Sequence, residues 1–194
     1  MTFLVLEGFS GTGKTTLARH LEALGWLRLQ ESAHALPDNV PVADRGDTYS
    51  DYSLLGATLA YASTISTLRR VRDLVSEGYL LSDLAYAKVR FEMRKSSAYP
   101  AMLTVCREVL SNAEMKPDLY ILLETRRDSL RSRNIGKKEI DVSGFSMTSY
   151  YSALEEIHKE LGERNIENVY TDSDSEVTLK EVLAIIKKRD VLER

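Results

Sequence analysis

Cysteine is nearly absent from this chain. The single thiol, Cys106, excludes an intrachain disulfide, so no oxidising compartment is implied. Its neighbours Met102, Leu103, Val109 and Leu110 recur at helical spacing, which marks a buried structural thiol rather than a reactive one. Net positive charge is missing too. With 26 Lys and Arg against 29 Asp and Glu, the formal charge of -3 disfavours the broad basic face that a polymeric nucleic acid needs. Long apolar runs are also lacking. The first ends at Glu7, and the uncharged stretch Tyr52 to Leu68 carries too many Ser, Thr, Gly and Ala to span a bilayer. No membrane partner is expected, and the cytoplasm is the default location. Of the three histidines, His20 and His158 fall on expected helix surfaces without metal-spaced partners and read as structural.

What is present suits an ordinary globular chain. At 194 residues, 43% hydrophobic and 28% charged, residues 1–194 suffice for one domain with its own core. Strands are expected at Thr2–Leu6, Trp26–Gln30, Tyr79–Ser82, Leu119–Leu123 and Val169–Thr171. Helical spacing is expected over Lys14–Leu24, about 51–76, Ala85–Lys95, Ala101–Ala113, Ser146–Leu161 and Glu176–Lys188. Alternation of this kind gives an α/β fold: a parallel sheet of about five strands covered by helices on both faces, in three α/β/α layers.

The chemistry is concentrated in GFSGTGKTT, Gly8 to Thr16. Gly8, Gly13, Lys14 and Thr15 match G-x-x-x-x-G-K-[ST], and the match lies between an expected strand and an expected helix. Its glycines let backbone N–H groups turn inward, and the helix N-terminus adds positive potential, so the loop suits a polyphosphate. Gly8, Ser10, Gly11, Thr12, Gly13, Lys14, Thr15 and Thr16 are therefore the candidate ATP-binding residues. Lys14 would reach the β- and γ-phosphates, and Thr15 would offer its hydroxyl to Mg²⁺. Asp83, read as the end of the third strand, is the candidate second Mg²⁺ carboxylate or acceptor-activating group. A GTPase would carry an N-K-x-D motif, and none occurs; the D-x-x-G at Asp141–Gly144 comes too late.

LEGFSGTGKTT, the long helix, EGYLLSDLAY, KPDLYILLE and RRDSLRSR, in that order, resemble the thymidylate kinase branch of the P-loop nucleoside and nucleotide kinases. The resemblance implies the P-loop NTPase fold, ATP and Mg²⁺ as cofactors, and a small-molecule acceptor. It implies that Asp83 fills the place of an Asp-Arg-Tyr carboxylate, and that an arginine-rich lid at about 126–141 brings Arg127, Arg131 and Arg133 over the phosphates. Glu31, after the second strand, takes the place of the acidic residue that activates the acceptor hydroxyl in nucleoside kinases, a role suited to a carboxylate base. Three positions depart from the thymidylate pattern: Ser10 replaces an acidic residue, Leu84 an arginine, and Ser63 or Thr64 a helix arginine. Small residues in the 51–76 helix, including Gly56, Ala57, Ala60 and Ala62, suit close packing either inside the molecule or across a homodimer.

The sequence thus predicts an ATP-dependent phosphotransferase whose foremost acceptor class is a nucleoside monophosphate. A deoxynucleoside or other small metabolite is the alternative acceptor, and a nucleotide-binding regulatory module with little turnover is the alternative class.

Overall fold

The computed structural model describes residues 1–37, 40, 46–126, 147–172 and 174–192. Five strands, β1 (Phe3–Glu7), β2 (Leu27–Leu29), β3 (Leu74–Glu77), β4 (Leu119–Glu124) and β5 (Ile166–Tyr170), form one parallel sheet in the order β2-β3-β1-β4-β5. The described helices are α1 (Lys14–Ala23), α2 (Thr48–Leu68), α3 (Leu80–Glu92), α4 (Tyr99–Ser111), α5 (Met147–Leu161) and α6 (Ser175–Leu192), with a 3-10 turn at Ser32–Ala35. Among the described residues no helix is long and apolar enough to cross a membrane.

β1 is central, and all five of its residues are buried, which is why it reads as an unbroken apolar run. The pleat divides those residues between two cores. Leu4 and Leu6 join Leu17, Leu21, Ile121 and Val182 under α1 and α6. Phe3 and Val5 join Leu80, Leu84, Met102 and Leu154 under α3, α4 and α5. Cys106 is fully buried in the second core, and burial pushes its thiol far up, as its apolar neighbours predict.

Three expectations need correction. The helix expected over 51–76 ends at Leu68, and its last residues form β3 instead; the strand expected at Tyr79–Ser82 is the entry to α3. Neither glycine nor proline marks the end of α2. The Arg69 guanidinium ends it through the fold, donating to the carbonyls of Ala113, Glu114 and Lys116 and to both Asp118 oxygens at 2.8–3.2 Å. Tyr79–Ser82 is buried on every side, so its apolar run carries no period that tells a helix from a strand. His158, expected on a surface, is buried against the Tyr120 ring, and burial lowers its pKa to about 4.

Candidate active site

The glycine loop leaves the carboxyl end of β1, where sheets of this kind bind ligands. Gly8, Gly11 and Gly13 all take positive φ, and Gly13 caps α1 in the left-handed conformation. Thr12 Oγ1 donates to the Phe9 carbonyl at 2.9 Å. Tyr151 of α5 braces the loop: its hydroxyl accepts from Phe9 N–H at 3.3 Å and donates to the Leu123 carbonyl at 2.7 Å. Lys14 folds back over the loop, its Nζ donating to the carbonyls of Gly8 at 2.7 Å and Phe9 at 3.3 Å. An ammonium that bonds two loop carbonyls has a short path to an anion in the same loop.

A cleft of about 750 Å³ opens along the loop. Ser10, Gly11, Thr12, Gly13, Lys14, Thr15 and Thr16 of the loop line it, together with Arg28, Glu31 and His34 after the second strand's start and Thr171, Ser175 and Thr178 from the β5–α6 connection and α6. Every expected loop residue except Gly8 therefore faces one space, and Gly8 forms the floor turn.

The carboxylate beside Thr15 is Glu77, not Asp83. Glu77 ends β3 on the α1 face, where one oxygen accepts the Thr15 hydroxyl and the other accepts Arg28 Nε at 2.5 Å. Glu77 is 2% exposed and Arg28 12%. The strand-end carboxylate that sequence placed at Asp83 is six residues earlier because β3 itself is earlier. Asp83 lies in the first turn of α3, buried, accepting from Thr58 and, at 3.5 Å, from Ser32. Burial pushes its carboxyl up to about 7, against the pull of Thr58, and Glu31 adds to the rise. Glu31 faces both the cleft and the Asp83 cluster.

Glu7, at the end of β1, faces away from α1. It accepts from Ser82, which also pairs with the Tyr150 hydroxyl at 3.1 Å, and its Oε1 has no partner among the described residues. Burial drives its pKa up to about 8, although Ser82 and Lys14 pull it down. Glu31 thus raises the proton affinity of both Glu7 and Asp83, and Asp83 adds to that of Glu7. Arg127, Arg131 and Arg133 lie outside the described residues.

The strand order and the loop at the end of the central strand decide the architecture. The fold is that of the P-loop nucleotide kinases. The chain is similar to a deoxyadenosine kinase from M. mycoides with bound dATP, at 15% identity over 96% of this chain and 100% of that one, with a TM-score of 0.65. It is similar to a thymidylate kinase from Candida albicans, at 13% identity over 97% and 92% of the two chains, TM-score 0.66. It also resembles the YorR protein from Bacillus subtilis in complex with phosphorylated GDP, at 17% identity over 97% and 98%, TM-score 0.61. No family model and no curated protein matches the sequence.

Sequence reasoning missed Glu77 and Arg28. The signal for Arg28 was present: the alternation Leu27-Arg28-Leu29 sets the charge on the face opposite two leucines. For Glu77 it was hidden, because helical spacing continues through the strand.

Proposed function

We propose that this chain transfers the γ-phosphate of ATP to a nucleoside or nucleoside monophosphate. The observation that carries the reading is the convergence of Lys14, Thr15 and Glu31 on one cleft, with the Thr15 hydroxyl held by the strand-end carboxylate of Glu77. The named ligands of the structural neighbours, dATP and phosphorylated GDP, support a nucleotide of this size.

In this reading the loop N–H groups and Lys14 hold the β- and γ-phosphates, and the part of the cleft lined by Thr171, Ser175 and Thr178 takes the base side of ATP. Thr15 and Glu77 fit Mg²⁺: they are hard oxygen donors already in contact. No group of three His, Cys, Asp or Glu among the described residues forms a full cage, as suits an ion that keeps water and phosphate oxygens in its shell. When bound, that ion neutralises phosphate charge. Glu31 takes the proton from the acceptor oxygen as that oxygen bonds to phosphorus and the bond from phosphorus to the β-γ bridging oxygen breaks, leaving ADP. Asp83 and Thr58 bind the acceptor from the buried side.

One observation favours a nucleoside over a monophosphate. Glu31 lines the cleft with the buried acid groups Asp83 and Glu7 within electrostatic reach, and the buried guanidinium of α3, Arg90, is paired with Asp51. The test is ADP release with ATP and Mg²⁺ across nucleosides and their monophosphates, with Lys14→Ala as control. Nucleoside-stimulated release that Lys14→Ala abolishes is expected; preference for monophosphates would overturn the acceptor assignment, and no acceptor-dependent release at all would favour a regulatory nucleotide-binding module.

A further inference from the structure

Arg28 is a charged cleft residue, largely buried, that the glycine motif leaves unexplained. A guanidinium on the covered face of a sheet carries a desolvation cost, and such local violations concentrate where a site needs them. β2 turns Leu27 and Leu29 toward the core under α3 and α4, which sends Arg28 to the α1 face. In register Arg28 pairs with Val75, two residues before Glu77, so its side chain runs toward the carboxyl end of the sheet to reach Glu77 Oε1. Its other contact, Nη1 to Glu22 at 3.8 Å, is too long for a hydrogen bond, and Glu22 is 54% exposed. Nη2 has no partner among the described residues, and Arg28 lines the same cleft as Lys14 and Thr15.

Glu77 is thus an anchor with both oxygens engaged, and Arg28 is a planar fork held by one edge. An arginine so fixed has lost side-chain freedom already and presents its remaining N–H groups in the geometry that suits phosphate. Gly78, the residue after Glu77, brings no side chain to that end of the sheet.

We infer that Arg28 is a phosphate-binding residue of the cleft: Glu77 holds its Nε, and the opposite edge of the guanidinium bonds an oxygen of the terminal phosphates of the nucleotide. The inference rests on the donor-site reading above and adds a cation to it from β2.

The test is equilibrium binding of ATP and of adenosine, without metal, to the wild type, Glu77→Gln, Arg28→Gln/Glu77→Gln and Arg28→Lys/Glu77→Gln. The Glu77→Gln background removes the carboxylate through which Arg28 would otherwise act, so that Arg28→Gln made in it strands no buried Glu77 charge. Arg28→Gln/Glu77→Gln is expected to bind ATP about tenfold more weakly than Glu77→Gln, or about 1.4 kcal/mol, with adenosine affinity equal in the two. Lysine at position 28 should recover more than half of the loss. Equal ATP affinity in Glu77→Gln and Arg28→Gln/Glu77→Gln would overturn the inference, because Arg28 would then serve Glu77 alone; so would a parallel loss of adenosine affinity. A wild type that binds no ATP would instead overturn the donor-site reading, and the inference with it.

Discussion

At Gly8 the backbone takes φ +147°, and a Cβ there would lie 2.7 Å from both the Leu123 carbonyl oxygen and the Thr12 hydroxyl oxygen. Gly13 also has positive φ, at +100°, yet a Cβ there meets nothing within 4 Å. The two glycines therefore answer differently to one substitution. Gly13→Ala should cost only backbone strain, about 1 kcal/mol, whereas Gly8→Ala must also push apart β4 and the loop. Nucleotide-free denaturant titrations should rank Gly8→Ala as the less stable by a further 2 kcal/mol or so; equal stabilities would contradict the packing argument. Among the acid groups, Glu31→Gln should lower kcat by about a hundredfold or more while ATP affinity stays within about twofold. An unchanged kcat would remove Glu31 as the proton acceptor. At this scale the phosphate loop was legible, because each residue type in it is required by local backbone geometry. Glu77 was not, because its role depends on which residue ends a strand.

Elements meet through buried polar contacts that local patterns do not announce. Besides the Thr58–Asp83 bond, α2 and α3 are linked by the ion pair of Asp51 and Arg90, both fully buried. Arg90 also lies over the Tyr86 ring, 5.9 Å from its centroid. Removing one partner strands the other charge, so Arg90→Met should destabilise by about 3–5 kcal/mol. Arg90→Met with Asp51→Leu should cost less than Arg90→Met alone, as read by urea unfolding; a greater cost for the pair would show that Arg90 acts through other neighbours. The end of α2 follows the same logic. Leu55, Leu59, Ala62, Ile65, Leu68 and Arg72 keep a helical spacing, yet the helix stops at Leu68, where Arg69 gathers the carbonyls of Ala113, Glu114 and Lys116. Asp73 and Asp118 then take the N–H groups of Thr2 and Phe3 at 2.6 Å, locking β1 between its neighbours. Helices α1, α4 and α5 were legible because each is amphipathic with a periodic buried face. The boundary between α2 and β3 was not, because residues distant in sequence set it.

For the whole molecule, pH acts on stability from both sides. Glu7, held up at about 8, and Asp83, held up at about 7, stay protonated in the folded chain after their unfolded counterparts have ionised. Their contribution is fully present below the ordinary carboxyl values of 4.5 and 3.8, and it is lost as pH rises through the folded values. His158, lowered to about 4 by burial, does the opposite: its contribution is present above 6.5 and is lost as pH falls toward 4. Glu7→Gln in nucleotide-free protein should therefore flatten the fall in stability between 4.5 and about 8, by up to about 1.4 kcal/mol per pH unit. Urea midpoints across that range would read it, and a slope equal to the wild type would show that Glu7 ionises freely in the folded chain. Strand-helix alternation made the three-layer parallel architecture legible from sequence, since alternation leaves few ways to cover both faces of a sheet.

The central claim is that phosphorus moves from ATP to a small acceptor in this cleft. Its most direct test is mass spectrometry of acceptors incubated with the protein, ATP and Mg²⁺. A nucleoside should gain one phosphoryl group for each ADP formed, with both products lost in Lys14→Ala. ADP formed without any phosphorylated acceptor, or a phosphorylated product that persists in Lys14→Ala, would contradict it.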